Sequence, residues 1–440
     1  MPMIAKTLNG AEQALEEQFR AMSPVGALAT GRGDAFKRFA AAGLPHRRIE
    51  SWHYTDLRTI LREAPPPAAR PDAGTIAAAR ERLNGHAVPG AARIVVVDGC
   101  FCPELSDIAI LGPHVRVSPV LEALATQDLD ADLVTAQALG VAESMVALNA
   151  AFLQGGVMVD VEPGTTVEAP IEIVSLLSSK GPAATYERSY LRLGAHASAT
   201  VIERHVALRE ARSLANAVLV VSVGDGASFE HIARIDGIGA EAVHLGTTLI
   251  RLGADAKFNG TTLIATAGIT RRQAYLEFAG PHSTAHFYGV SLLDGRCHAD
   301  TTLIVTHTAP HCESRELYKH ILDGEATGIY QGKVVVAPGA QKTDGKMLSK
   351  AIFLGEGASM YNKPELEIFA DDVVCGHGAT AGSLDDDQLF YLRARGIPLR
   401  EAQALLLEAF ASEAIDAVSV DAMKNEMGDR VGQWLRQHGK

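Results

Sequence analysis

A chain of 440 residues has room for two or three domains, or for one elongated repeat. Its net charge of -12, with no run of Lys and Arg, excludes general binding to nucleic acid or to an anionic membrane surface. Hydrophobic residues make up 47% but aromatics only 5%, so Val, Ile, Leu and Ala must fill the core. The N-terminus, MPMIAKTLNGAEQALEEQF, lacks a long apolar stretch, and nowhere does an uninterrupted apolar run reach the ~18 residues of a membrane span. A cytoplasmic protein without secretory signal or membrane anchor is expected. Cysteines at 100, 102, 297, 312 and 375 form no even framework and read as free thiols, with metal or redox chemistry open to them.

Residues 1 to about 63 read as helical. Ala14, Leu15, Gln18 and Phe19 recur among glutamates, and Asp34 is placed to cap a helix carrying Phe36 and Phe39. The cluster Arg47 to Leu57, RRIESWHYTDL, reads either as a packed surface turn or as a partner-docking surface. APPPAARPD, residues 64–72, cannot continue a helix, so 1–90 is expected to be a helical N-terminal region with a Pro-rich linker. Ile94 to Val97 is a strand closed by the turn signal Asp98-Gly99. Cys100 and Cys102 would share one strand face, and without further Cys or His nearby they read as structural. Ala/Leu-rich spacing over 117–153 predicts a helical insertion.

From Gly156 the pattern changes and repeats. VDVEPGTTV, LRLGAHASA, VSVGDGASF, IRLGADAKF and EFAGPHSTA place glycines at 164, 194, 224, 253 and 280, each after an alternating strand pattern. A strand–turn–strand unit at this period, with no helix between units, predicts a parallel β-solenoid; a propeller blade would need about 40 residues. The fold expected is mainly β, a solenoid core over 91–372 with a helical region over 373–440. In that tail Ser383 or Asp385 can cap a helix with Leu389, Phe390 and Leu392 that breaks at Gly396. Pro398 opens a second helix, whose contiguous Leu405 to Leu407 either pack inside or meet another protein.

Chemistry is concentrated where these regimes meet. Cys375 and His377 stand two residues apart between Gly376 and Gly378, so on an extended backbone thiol and imidazole face one way. A buried thiol beside a loop histidine is the alternative. A second Cys–His neighbourhood holds Cys297, His298, His307, His311 and Cys312. Thiolate and imidazole suit iron–sulfur chemistry or zinc, but without C-x₂-C pairs a partial ligand set completed by another protein fits better. Gly339 to Lys346 imitates a phosphate loop with one residue too many, and Met347 stands where Ser or Thr should bind magnesium, so no intrinsic ATPase is expected.

The run Lys342 to Ile397, KTDGKMLSKAIFLGEGASMYNKPELEIFADDVVCGHGATAGSLDDDQLFYLRARGI, closely resembles the C-terminal signature of the SufB/SufD family of iron–sulfur cluster assembly proteins. HCESRELYKHIL (311–322) is also family-like, and Arg48 to Leu57 looks like the SufD branch. The resemblance implies a right-handed β-helix with helical ends and a non-catalytic scaffold role in a complex with a SufB homologue and the SufC ABC-type ATPase. It implies that the tail, 383–420, docks SufC, and that Cys375 and His377 are ligands, as metal or cofactor site, to a transient iron–sulfur cluster or iron shared with SufB. Gly376 departs from the Ser expected in many members and leaves both side chains available. A flavin in the complex and a homodimer in isolation stay open, as do the roles of Cys100, Cys102, Cys297, His307 and Cys312. The rival readings are a β-solenoid enzyme acting on polysaccharide and an inert structural spacer.

Overall fold

The computed structural model describes residues 8–22, 29–126, 143–178, 181–209, 211–236, 238–265 and 268–438. From Ile171 onward successive strands belong alternately to two sheets, and each pairs parallel with the strand two places later. Among the described residues one sheet has ten strands and the other nine. That is the expected solenoid in flattened form, two faces per coil. Its interior is built by aligned columns. Leu193, Val223, Leu252, Phe278, His307 and Val336 stand in register on consecutive coils, all buried. Period-2 alternation sends every second side chain into that space.

The repeating glycines have a steric cause. A Cβ on Gly194 would lie 2.5 Å from Pro163 N, and one on Gly280 would lie 2.2 Å from Ala254 N. Coils approach too closely there for any side chain. On this edge each coil turns through a left-handed residue: Gly164 (φ 72°), His196 (60°), Gly226 (66°), Asp255 (55°), His282 (62°), His311 (59°) and Lys342 (63°). The turns stack, His196 N donating to Asp225 O at 2.8 Å and Asp255 N to Pro281 O at 2.9 Å.

Helices cover both sheets. Gly10–Met22, Ala29–Ala42 and Ser144–Phe152 share a core with Tyr186, Leu214, Val243 and Leu245 on the outside of the nine-stranded sheet. The C-terminal helices Leu399–Ile415 and Asp421–His438 bury Leu407, Ala411, Ala414, Met423 and Met427 among Ile232, Leu263, Val290 and Ile321 of the other sheet. Cover on both faces explains strands such as Ala183–Leu193, whose residues are nearly all buried. Of the expected insertion, Val115–Pro119 is a strand and Val120–Thr126 a short helix; 127–142 lie outside the described residues.

Two local readings are corrected. Asp34 lies inside the helix Ala29–Ala42 instead of capping it, its carboxylate taking the Lys37 ammonium at 2.9 Å. The Pro-rich segment is no free linker: Ala68 N donates to Ala184 O at 2.7 Å, and Ala184 N donates to Pro66 O at 2.8 Å. Of the two readings of the cluster Arg47 to Leu57, the structure shows the packed one: Trp52, Thr55 and Leu57 are buried. Trp52 is buried, with the Arg271 guanidinium 3.9 Å over its ring and its Nε1–H donated to Glu143 Oε1 at 2.7 Å. Arg271 donates to Ser51 O at 2.7 Å and pairs with Asp300, which also accepts the Thr55 hydroxyl at 2.5 Å. Both members of that ion pair are buried.

Candidate ligand site on the open coil

Three strands form the last coil and a half: β1 (Asp344–Phe353), β2 (Ser359–Ile368) and β3 (Val374–Gly382). β3 carries the solenoid past the boundary at 372 drawn from sequence, and it holds both Cys375 and His377. β2 and β3 each end their sheet, so among the described residues each has one edge of backbone N–H and C=O groups without a neighbouring strand. Tyr361, Ile368, Phe369 and Val374 are exposed there, Phe369 by 63% and Val374 by 61%. An apolar, unpaired sheet end of this kind is a template for another chain.

Parallel register gives the site its geometry. Cys375 stands beside Gly345 and His377 beside Met347. Cys375 packs against the edge of the interior cluster, its Sγ 3.5 Å from where a Gly345 Cβ would be. The thiol is half-buried, and burial pushes it above its ordinary value near 9.0, Gly345 N–H opposing and Asp344 reinforcing the rise. A thiol held protonated ionises readily only when a cation arrives. His377, on the same face, is exposed.

One coil deeper in the His377 column, past Met347, lies Glu316. It is buried, accepts the Tyr330 hydroxyl at 2.6 Å, and is pushed by burial to about 8. The unfolded chain releases that proton near 4.5 and the folded chain near 8, so between the two the folded state binds more protons and stability falls as pH rises. His307, pushed down by burial to about 4, has the opposite sign: its contribution is lost as pH falls below 6.5. Glu316→Gln keeps an acceptor for Tyr330 and removes one titration. In urea unfolding it is expected to gain on the parent chain near pH 8 and to lose that gain near pH 4.5. An equal difference at both pH values would contradict the assignment.

The second Cys–His neighbourhood does not converge on Cys375. Cys312 is buried in the interior with its Sγ 3.4 Å from Gly280 O, and His307 is buried with its ring on Phe278 and Nε2 3.0 Å from Ser314 Oγ. Cys297 belongs to a separate cluster with Leu293 and Leu322, its thiol pushed up to about 11 by burial. Cys100 is half-buried, and Cys102 is buried with its thiol raised to about 11. His311 stacks on His282 at a solenoid turn, ring centroids 4.9 Å apart. Among the described residues no three His, Cys, Asp or Glu side chains form a metal cluster. Cys375 and His377 can therefore offer two positions of a larger coordination sphere. The sequence reading missed Met347 as a neighbour, although its place one coil before His377 follows from the repeat period.

The tail follows its capping signals. Asp385 accepts from Gln388 N at 3.0 Å to start the helix Asp386–Ala394, and Gly396 (φ 85°) ends it. Leu407 is buried against the solenoid, whereas Phe390, Tyr391, Leu399 and Leu405 are exposed, Phe390 by 75%. The tail thus has two apolar faces, one seated and one uncovered. Among the described residues no helix is long and apolar enough to cross a membrane.

A two-sheet β-solenoid with helical ends and a Cys–His pair on its unpaired coil defines the class of protein. Two family models match the chain: the SufBD core domain, described as SUF system FeS cluster assembly, over residues 175–410, and the SufBD protein N-terminal region over 13–173. The chain belongs to the SufBD family. It is 30% identical to the iron–sulfur cluster assembly protein SufD of Escherichia coli (strain K12) over 89% of this chain and 90% of that protein. An iron–sulfur cluster assembly SufBD family protein of Synechocystis is 28% identical over 94% of this chain and 93% of that one. SufD of Bacillus subtilis is 25% identical over 64% and 65% of the two chains. Neither family description concerns polysaccharides, so the rival enzyme reading is not favoured.

Proposed function

We propose that this chain is a non-catalytic scaffold subunit for iron–sulfur cluster assembly in the cytoplasm, with Cys375 and His377 as ligands to a cluster or iron that it carries as cargo. The observation that carries the reading is the placement of these two groups on one face of the unpaired coil. A SufB-type partner adding to that coil would pair the free strand edges, cover the exposed apolar residues and supply the missing ligands. The uncovered face of Phe390, Tyr391, Leu399 and Leu405 is the docking site for a SufC-type ATPase, which brings the nucleotide chemistry that this chain lacks a loop to perform.

The ligands must act as thiolate and neutral imidazole, so cluster binding weakens in acid. The reading is tested by reconstituting the complex with His377→Ala and with Cys375→Ser and measuring iron and acid-labile sulfide. Each variant is expected to lower bound cluster by about tenfold or more at unchanged complex stability. Full iron and sulfide content in both would remove the ligand role and leave a structural spacer.

A further inference from the structure

Beside the Cys–His pair the structure places a thioether, a second soft donor after the thiol. Met347 stands in register with His377 on the adjacent strand, and Gly345, two residues before it, stands in register with Cys375. Neighbouring strands lie about 4.8 Å apart, and residues in register on one face are side by side. Met347 is 3% exposed and belongs to the interior cluster against which Cys375 packs, so its thioether lies on the same side of the strands as the thiol and the imidazole. The missing Cβ at Gly345 keeps the floor under Cys375 open: with alanine there, the new carbon would lie 3.5 Å from Sγ and 3.4 Å from Ser314 Oγ.

We infer that Cys375, Met347 and His377 form a soft-metal site that takes Cu(I) in preference to Zn(II) when the coil is uncovered. Thiolate and thioether are soft donors and select a soft monovalent cation, whereas a thioether adds little for borderline Zn(II). The donor count points the same way. One thiolate, one thioether and one imidazole can complete a three-coordinate Cu(I) centre, while a structural Zn(II) site needs four donors, mostly thiolate or imidazole. The three donors come from two adjacent strands of a single chain, so the site needs no partner, unlike the shared cluster site. A partner seated on the coil would close it. The inference rests on the reading of Cys375 as a metal-facing thiol and extends it to a second cargo class.

The test is anaerobic titration of the full isolated chain with Cu(I) against the chromophoric competitor bicinchoninate, and separately with Zn(II). The chains compared are the parent, Met347→Leu and Cys375→Ser. One equivalent of Cu(I) is expected in the parent. Met347→Leu is expected to weaken Cu(I) by about tenfold while shifting Zn(II) by no more than about twofold. X-ray absorption of the copper form should show two sulfur scatterers in the parent and one in Met347→Leu. Because leucine fills nearly the same volume, a purely packing role for Met347 would move both metals together or neither. Equal Cu(I) affinity in parent and Met347→Leu, or equal losses for the two metals, overturns the proposal. If Cu(I) binding needs Cys375 and Met347 but the reconstituted complex assembles clusters without Cys375, this site stands and the scaffold-ligand reading falls. If clusters need Cys375 but Cu(I) ignores Met347, the reverse holds.

Discussion

Asp300→Ala is expected to destabilise the chain by about 3–5 kcal/mol, the cost of leaving a buried charge without its partner. Asp300 and Arg271 are both 0% exposed and pair across adjacent strands of the nine-stranded sheet. The carboxylate also accepts the Thr55 hydroxyl at 2.5 Å and the Gln331 amide at 3.2 Å, so one side chain ties the N-terminal segment to two coils. Without it, Arg271 keeps its donation to Ser51 O and its place over Trp52, but loses the carboxylate it pairs with directly inside the protein. The loss should be local first. Limited proteolysis should open the Arg47 to Leu57 segment before the solenoid, and the thermal midpoint should fall. Asp300→Asn retains hydrogen bonding but not charge, and is expected to lie between parent and alanine variant. A parent-like melt and cleavage pattern for Asp300→Ala would show that the pair carries no net stability.

Phe390→Glu is expected to weaken capture of a SufC-type ATPase by at least about thirtyfold, the effect of losing a central aromatic contact worth about 2 kcal/mol. Phe390 is 75% exposed, so a carboxylate there costs the isolated chain almost nothing, and its melting temperature should match the parent's. Leu407→Glu gives the contrasting result: it buries a charge between tail and solenoid and should destabilise the fold itself. Surface binding measurements on both variants separate the seated face from the uncovered one. Parent-like binding by folded Phe390→Glu would move the docking site elsewhere.

The solenoid was legible because its physics is local. Gly194 and Gly280 recur where neighbouring coils leave no space for a Cβ, and alternation follows from the strand period. Tail boundaries were legible for the same reason, since Asp385 and Gly396 act within one helical turn. What depended on distant contacts was hidden. Trp52 meets Arg271 across more than two hundred residues, and no local pattern distinguishes that contact from a surface turn. Asp34 carries a capping residue type, yet packing of the helix on Phe152 and Tyr186 extends it several residues earlier. Cys312 and His307 matched Cys375 and His377 in composition but lie inside the solenoid, bonded to Gly280 O and Ser314. Residue type alone does not encode which coil is the last.

The stacked left-handed turns also set how such a chain can change length. From His196 to Lys342 one edge of the solenoid is pinned coil to coil, each turn held by a backbone hydrogen bond to the next. Turns on that edge nevertheless absorb single residues: residues 253–256 link Leu252 to Lys257 and residues 279–283 link Phe278 to Thr284, yet Leu252 stays in register with Phe278 and Lys257 with Thr284. Length change is therefore taken up in the turns, as in 337–343 between Val336 and Asp344, while the strands keep their parallel register. A whole coil excised at equivalent turns would leave Cys375 and His377 facing as they do now, on a shorter lever.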